Sequence, residues 1–262
     1  MELKEVIGTR RSIRFFDPDR PVEREKIQKM LEAARLASCA VNAQWQRAVV
    51  AFRKDLTDEQ FNRLKTPVAA LNVDLAPVHI HWFNDLSTVN RNKGSRLREL
   101  VDVGALAPTH GWSHKFVDDF VYPQILEPFT SSPGYPVHST FDVGGAVTQA
   151  LLTGVDEGLG VCLVTLNAQT LRDVFKIPDE WMPLMTILVG YPAESKDGGG
   201  QRPRPPFEEL YYEGAYGQPF ARDPKVVEEL KAAGMIQEPA TPHNPARIAE
   251  IKSLADRYGL PL

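Results

Sequence analysis

The chain has 262 residues, 43% of them hydrophobic and 24% charged, enough to bury a core without disulfides as one large domain or two small ones. Its 34 acidic and 30 basic side chains leave a net charge of −4, which argues against nucleic acid or an anionic membrane as the main partner. Two separated cysteines, Cys39 and Cys162, no apolar leader and no run of about 20 apolar residues point to reduced thiols, no membrane span and a cytoplasmic protein.

Leu3, Val6 and Ile7 share a face of a short opening helix. Arg10-Arg11-Ser12-Ile13-Arg14 then precedes Phe15-Phe16-Asp17-Pro18. In an extended segment side chains alternate, so Arg10, Ser12 and Arg14 face one way and Arg11, Ile13 and Phe15 the other. The first face offers forked guanidinium donors and a hydroxyl suited to a phosphate; taken alone, it is equally a solvated basic patch. Ile27, Met30, Leu31 and Ala34 predict a helix over about 23–37, and Arg47–Phe52 and Val78–Phe83 predict strands. Residues 84–140 lose periodicity and carry a charged stretch, Arg91 to Arg98, then an aromatic one holding Trp112, Phe116 and Tyr122. They are expected to form an inserted cap, its aromatics serving as a substrate lid or as dimer core.

Val143, Ala146, Val147, Ala150 and Leu151 predict a buried helix over about 142–157, stopped at Gly158-Leu159-Gly160 and followed by a strand over 161–165. Asn167 is placed to cap a short helix ending before Pro178, and the apolar run 184–189 reads as a central strand. Residues 192–206, rich in Gly and Pro, predict an exposed arm, and two polar helices over about 224–233 and 245–258 form a C-terminal extension. The expected domains are thus 1–222, with the cap at 84–140, and 223–262. Helices and strands interleave without a βαβ rhythm, which favours an α+β sandwich over a doubly wound sheet. His79 with His81, and His110 with His114, lack third and fourth ligands, so no metal site is expected. Cys39 reads as a packed core residue or a reactive thiol, and Arg91–Arg98 as a solvated helix face or a contact for the phosphates of NAD(P)H.

Four segments together resemble the FMN-dependent nitroreductase family: Arg10–Arg14; Ala37-Ser38-Cys39-Ala40-Val41-Asn42-Ala43-Gln44-Trp45; the helix, Gly-Leu-Gly and strand running to Asn167; and Gly190-Tyr191-Pro192-Ala193 with Arg202-Pro203-Arg204-Pro205. The second segment departs from the family's Pro-Ser-x-x-Asn-x-Gln-Pro-Trp in having Ser38 and Cys39 at its start and Trp45-Gln46 at its end. The resemblance implies a three-layer sandwich with a mostly antiparallel sheet, entwined as a homodimer. It implies FMN held by Arg10, Arg11, Ser12, Arg14, Ser38, Cys39, Ala40, Asn42, Val164, Thr165, Leu166, Arg202 and Arg204, with Thr165 tuning the flavin. The implied activity passes electrons from NAD(P)H to a small electron-poor acceptor, a nitroaromatic, quinone or enone, in ping-pong fashion. The alternatives are a flavin-dependent reductive dehalogenase, because related iodotyrosine deiodinases place a threonine beside flavin N5, and a flavin-binding or flavin-depleted interaction protein. The buried helix, the arm and the C-terminal helices are expected to lie against the second subunit.

Overall fold

The computed structural model describes residues 1–260. Strands β1 (Gln46–Phe52), β2 (Val78–Asp85), β3 (Gly160–Val164) and β4 (Trp181–Gly190) form one antiparallel sheet in the order β1-β2-β4-β3, so β1 and β3 are its opposite edges. The first half holds helices α1 (Leu3–Thr9), α2 (Arg24–Arg35), α3 (Asp58–Leu64), α4 (Ala70–Leu75), α5 (Thr88–Asn92) and α6 (Ser95–Asp102). There follow α7 (His114–Phe116), a π-helical stretch over Val117–Leu126, α8 (Glu127–Thr130), the long α9 (Tyr135–Asp156), α10 (Ala168–Phe175), α11 (Phe207–Leu210), α12 (Pro224–Ala232) and α13 (Pro245–Tyr258).

Side chains alternate across β2 and divide the core. Val78, Ile80 and Trp82 face α2 and α9, meeting Ile27, Met30, Ala34, Val143 and Val147. Phe83 lies in a second cluster with Phe61, Val73, Leu171 and Leu254 from α3, α4, α10 and α13, and His79 stacks on Phe61 there. These are the three expected layers. Between Trp82 and Phe83 the pairing with β4 slips by one residue, skipping Leu184 next to Pro183, whose missing N–H suits such an irregularity. The Asn167 side chain accepts from the Thr170 amide at 2.9 Å, the cap read from the sequence.

Three expectations change. Helix α9 begins at Tyr135 rather than near 142: Tyr135, Ser139 and Val143 continue its buried face, and the polar Ser139 and the Pro136 in the first turn hid that pattern from the sequence. Its apolar face is covered by α2 and the sheet of the same chain, so Val143, Ala146, Val147, Ala150 and Leu151 do not require a neighbour. The apolar residues α9 leaves in solvent are Val137 and Phe141, 70% and 83% exposed. The C-terminal helices also return to their own chain: Lys4 pairs with Glu229 of α12 at 2.6 Å, and α13 buries Leu254 and Ala255 while the Tyr258 hydroxyl donates to the Phe16 carbonyl at 3.2 Å. Among the described residues, the segment from Pro203 to Asp223 stands clear, with Tyr216 91% exposed.

Candidate functional site

Past α1 the chain extends along the β3 edge. The Ile13 amide donates to the Val161 carbonyl at 3.0 Å, and Ser12 bridges Val161 in parallel fashion. Gly160 permits this approach, because a Cβ there would meet Ile13 at 2.9 Å. On the far side the Ala193 amide donates to Phe15 and the Asp17 amide to Tyr191, at 2.9 and 2.8 Å, so the chain leaving β4 holds the segment from behind. Pinned on both sides, it shows the predicted alternation: Arg11, Ile13 and Phe15 are buried, Ser12 is half-buried and Arg14 is exposed.

That alternation turns Arg11 away from Arg10 and Arg14, although it stays within reach of the charges of Arg202, Arg10 and Arg204. Its Nε donates to the Asp197 carbonyl at 2.9 Å, Nη1 to the Gly8 carbonyl at 2.7 Å and Nη2 to Gln237 at 2.6 Å. Arg11 is thus a structural tie between α1, the 195–200 turn and the chain after α12, with its donors already engaged.

Arg10, Arg14, Arg202 and Arg204 form a cationic group instead. Burial first, and then the nearby Arg204 guanidinium, hold the pKa of Arg10 below its ordinary value. Among the described residues none of the four pairs with a carboxylate. Arg14 donates to the Ser12 carbonyl, Arg202 to Gly198 and Arg204 to Pro203, at 3.2, 2.8 and 3.1 Å. Guanidinium groups gathered without a counter-ion repel one another, and a phosphate dianion answers both their charge and their forked geometry. This donor set fits the phosphate of FMN. The end of β3 adjoins it, since the charges of Arg14 and Arg10 both act on Cys162; the Cys162 thiol is nevertheless pushed up, mainly by burial. Beyond Cys162, Thr165 is exposed, Val164 half-buried and Leu166 buried in the second core cluster.

The Ser38–Asn42 residues lie elsewhere. They precede β1, whose axis lies roughly 14 Å from that of β3 across two intervening strands at about 4.8 Å per step. Their loop is strained: Val41, Asn42 and Gln44 have φ of 50°, 50° and 58°, a region costly for residues other than glycine and most of all for a β-branched one. Hydrogen bonds hold it there. The Ala40 amide donates to Asp142 of α9 at 2.8 Å, the Gln44 side chain donates to Asn42 at 2.8 Å and to Cys39 Sγ at 3.4 Å, and Arg47 donates to the Gln44 carbonyl at 2.7 Å. Burial pushes the Cys39 thiol up. Ser38 and Ala40 remain exposed.

The cap packs over this loop, Val41 joining the small cluster of Leu97, Val117 and Val121. Trp112 is half-buried against that cluster and meets the exposed Phe116 edge-on at 5.5 Å, whereas Tyr122 packs toward the main core. The aromatic residues proposed as a lid therefore point to two different clusters. The arginines of the charged stretch are each paired: Arg91 with the buried Asp85 at 2.7 Å, Arg96 with Glu99 at 2.9 Å and Arg98 with Asp118. Burial works to raise the Asp85 pKa, but hydrogen bonds from Arg91 and Ser87 and the charge of Arg47 leave it lowered.

Three residues behind the arginine segment carry no signal in the sequence. Glu194, buried, accepts from the Arg14 amide and, at 3.0 Å, from the Phe15 amide; Arg247 of α13 pairs with it; and Asn72 donates to the Arg14 carbonyl at 3.2 Å. All three reach the segment only through the tertiary fold.

The sequence model of the Nitroreductase family matches residues 7–76, which hold the arginine segment and the 38–45 loop. No curated protein sequence matches the chain. Among solved structures, a candidate NAD(P)H:FMN oxidoreductase from Staphylococcus epidermidis is 17% identical, with 81% of this chain and 95% of the other aligned at a TM-score of 0.64. A candidate nitroreductase from Exiguobacterium sibiricum, in complex with FMN, is 20% identical over 80% and 96% of the two chains, TM-score 0.63. A nitroreductase family protein from Streptococcus pneumoniae is 22% identical over 81% and 100%, TM-score 0.63. The family resemblance read from the sequence holds, and the chain has the nitroreductase-like α+β fold.

Proposed function

We propose that this nitroreductase-like chain is an FMN-dependent oxidoreductase that takes electrons from NAD(P)H and passes them, in ping-pong order, to a small electron-poor acceptor such as a nitroaromatic, quinone or enone. The observation that carries this reading is the meeting of Arg10 with Arg204 and of Arg14 with Arg202 in one cleft, beside β3 and, among the described residues, without a carboxylate partner. Its support from relatives is the FMN complex of the Exiguobacterium protein and the name of the Staphylococcus one.

Bound FMN would supply the acceptance and release of hydride, chemistry that no side chain here needs to perform. To the chain we assign binding and tuning. Arg10, Arg14, Arg202 and Arg204, with the Ser12 hydroxyl, neutralise and orient the phosphate. Val164, Thr165 and Leu166 serve the ring, and Thr165 tunes its potential without being required for binding. Ser38, Cys39, Ala40 and Asn42 belong to the same site in this reading, yet they stand at the other edge of the sheet.

A homodimer resolves that separation: the loop of one subunit completes the arginine site of the other. The exposed Val137, Phe141 and Leu36 beside the loop, and the aromatic segment from Phe207 to Phe220, provide apolar surface for such an interface. An obligate interface of this kind would bury more than about 2,000 Å².

The test is to release the chromophore from purified protein and identify it, then to follow bleaching by NADH or NADPH without oxygen and recolouring by acceptors. FMN that bleaches and recolours is the expected result. A colourless protein that cannot be loaded with FMN would overturn the proposal and leave an interaction protein.

A further inference from the structure

Glu194 presents an electrostatic problem. Its carboxylate, fully buried, lies directly behind the segment that carries Arg10, Ser12 and Arg14. One oxygen accepts the amides of Arg14 and Phe15, which fixes where the Arg14 side chain leaves the backbone. A bare negative charge there would also oppose any anion the arginines attract, and in a poorly solvated setting that opposition is strong. The second oxygen is neutralised by Arg247, a residue of α13 that also pairs with Glu250 at 2.7 Å. Glu250 in turn accepts from the Ser195 hydroxyl at 3.0 Å, tying the helix to the turn next to Glu194. Leu254 and Tyr258 anchor α13 further along, in the second core cluster and on the Phe16 carbonyl. Arg14, Arg202 and Arg247 line one cleft of about 440 Å³, which puts the helix beside the cationic group it supports.

We propose that α13 is a positioning element of the anion site: Arg247, through Glu194, holds the Arg14–Phe15 backbone in place and cancels the charge that would otherwise repel a phosphate. Arg247 and Glu194 are positioning residues and touch no ligand themselves. The proposal rests on the FMN reading for its ligand, but the clamp on the backbone exists without one. The C-terminal helix therefore sets the strength of a site built at the other end of the chain.

The roles of charge and of packing separate in a double-mutant cycle on the full-length protein. Glu194→Gln keeps a carbonyl oxygen for the two amides and removes the charge. Arg247→Ala leaves the charge uncompensated, and Arg247→Gln serves if the alanine variant does not fold. FMN titration by flavin fluorescence should show Arg247→Ala weakened about ten- to a hundredfold, Glu194→Gln within about threefold of the parent, and the double variant restored close to Glu194→Gln. In the ligand-free proteins, amide exchange at Arg14 and Phe15 should accelerate about tenfold or more in Arg247→Ala and much less in the double variant.

A double variant as weak as Arg247→Ala would mean that Arg247 acts only through packing and would overturn the proposal, as would parental affinity and exchange in Arg247→Ala. If the parent itself fails to bind FMN, the flavin reading falls, and the exchange rates alone decide the clamp: unchanged protection at Arg14 and Phe15 refutes it, while loss restored by Glu194→Gln upholds it.

Discussion

The two edges of the sheet are built differently. At the β3 edge the arginine segment is pinned by backbone hydrogen bonds to Val161, Tyr191 and Ala193, and a buried ion pair stands behind it. Among the described residues its cations have no carboxylate partner. At the β1 edge Arg47 and Arg91 both pair with Asp85, and it is the backbone that is under strain, at Val41, Asn42 and Gln44. One edge holds cations without carboxylate partners on a relaxed frame; the other holds cations paired to a carboxylate on a strained one. Residues kept in costly conformations cluster where function needs them, so the difference is what two halves of one composite site would show, each incomplete in its own subunit.

The contrast breaks most visibly if the charges at the β3 edge prove idle. Replacing Arg14 or Arg204 with Ala should weaken FMN binding by roughly 1.5–3 kcal/mol each, the range for charge-assisted hydrogen bonds. Unchanged affinity in both, by fluorescence titration, removes the phosphate site from this edge.

Both edges hang on the sheet centre, where acid should act. His79 and His81 are buried on β2, and burial lowers the pKa of His79 to about 4 and that of His81 well below its usual value. Both histidines are therefore neutral in the folded chain, and the unfolded chain binds their protons more readily. Stability is complete above the ordinary value near 6.5 and declines as the pH falls toward 4, by roughly 3 kcal/mol for His79 alone. Urea midpoints measured between pH 7 and 4 should fall with pH and fall less in His79→Leu; parallel curves would mean that the histidine is not buried neutral.

A smaller, local effect tests whether the end of β3 depends on the helix after it. Asn167→Ala removes the cap of α10 and should cost about 1 kcal/mol in chemical denaturation, with FMN retained. Loss of FMN at unchanged stability would give Asn167 a direct part in the site.

Much of this architecture was legible in the sequence where the signal was local. Period-two alternation put Arg10, Ser12 and Arg14 on one face, and the four strands and both C-terminal helices lie within a few residues of their expected bounds. Arg11 follows the same alternation away from the site, although the family resemblance had counted it in. The rest depends on tertiary placement. Glu194 reads as one more solvated acid in a Gly- and Pro-rich arm, and Arg247 as a charge on a polar helix, because only the return of α13 brings them together behind Arg14. Nor does the sequence reveal that the 38–42 loop and the arginines lie at opposite edges, since strand order is fixed by pairings between residues far apart in the chain.

The central claim, a site shared between two subunits, is tested most directly by complementation. An Arg14→Ala/Arg204→Ala variant and an Ala40→Trp variant, each expected to lose FMN alone, are co-expressed and purified through different tags. If the loop of one subunit completes the arginine site of the other, each mixed dimer carries one intact site, so about half the sites of the doubly purified protein should bind FMN. A mixed preparation as empty as either variant alone would contradict the shared site, and so would an Ala40→Trp protein that binds FMN like the parent.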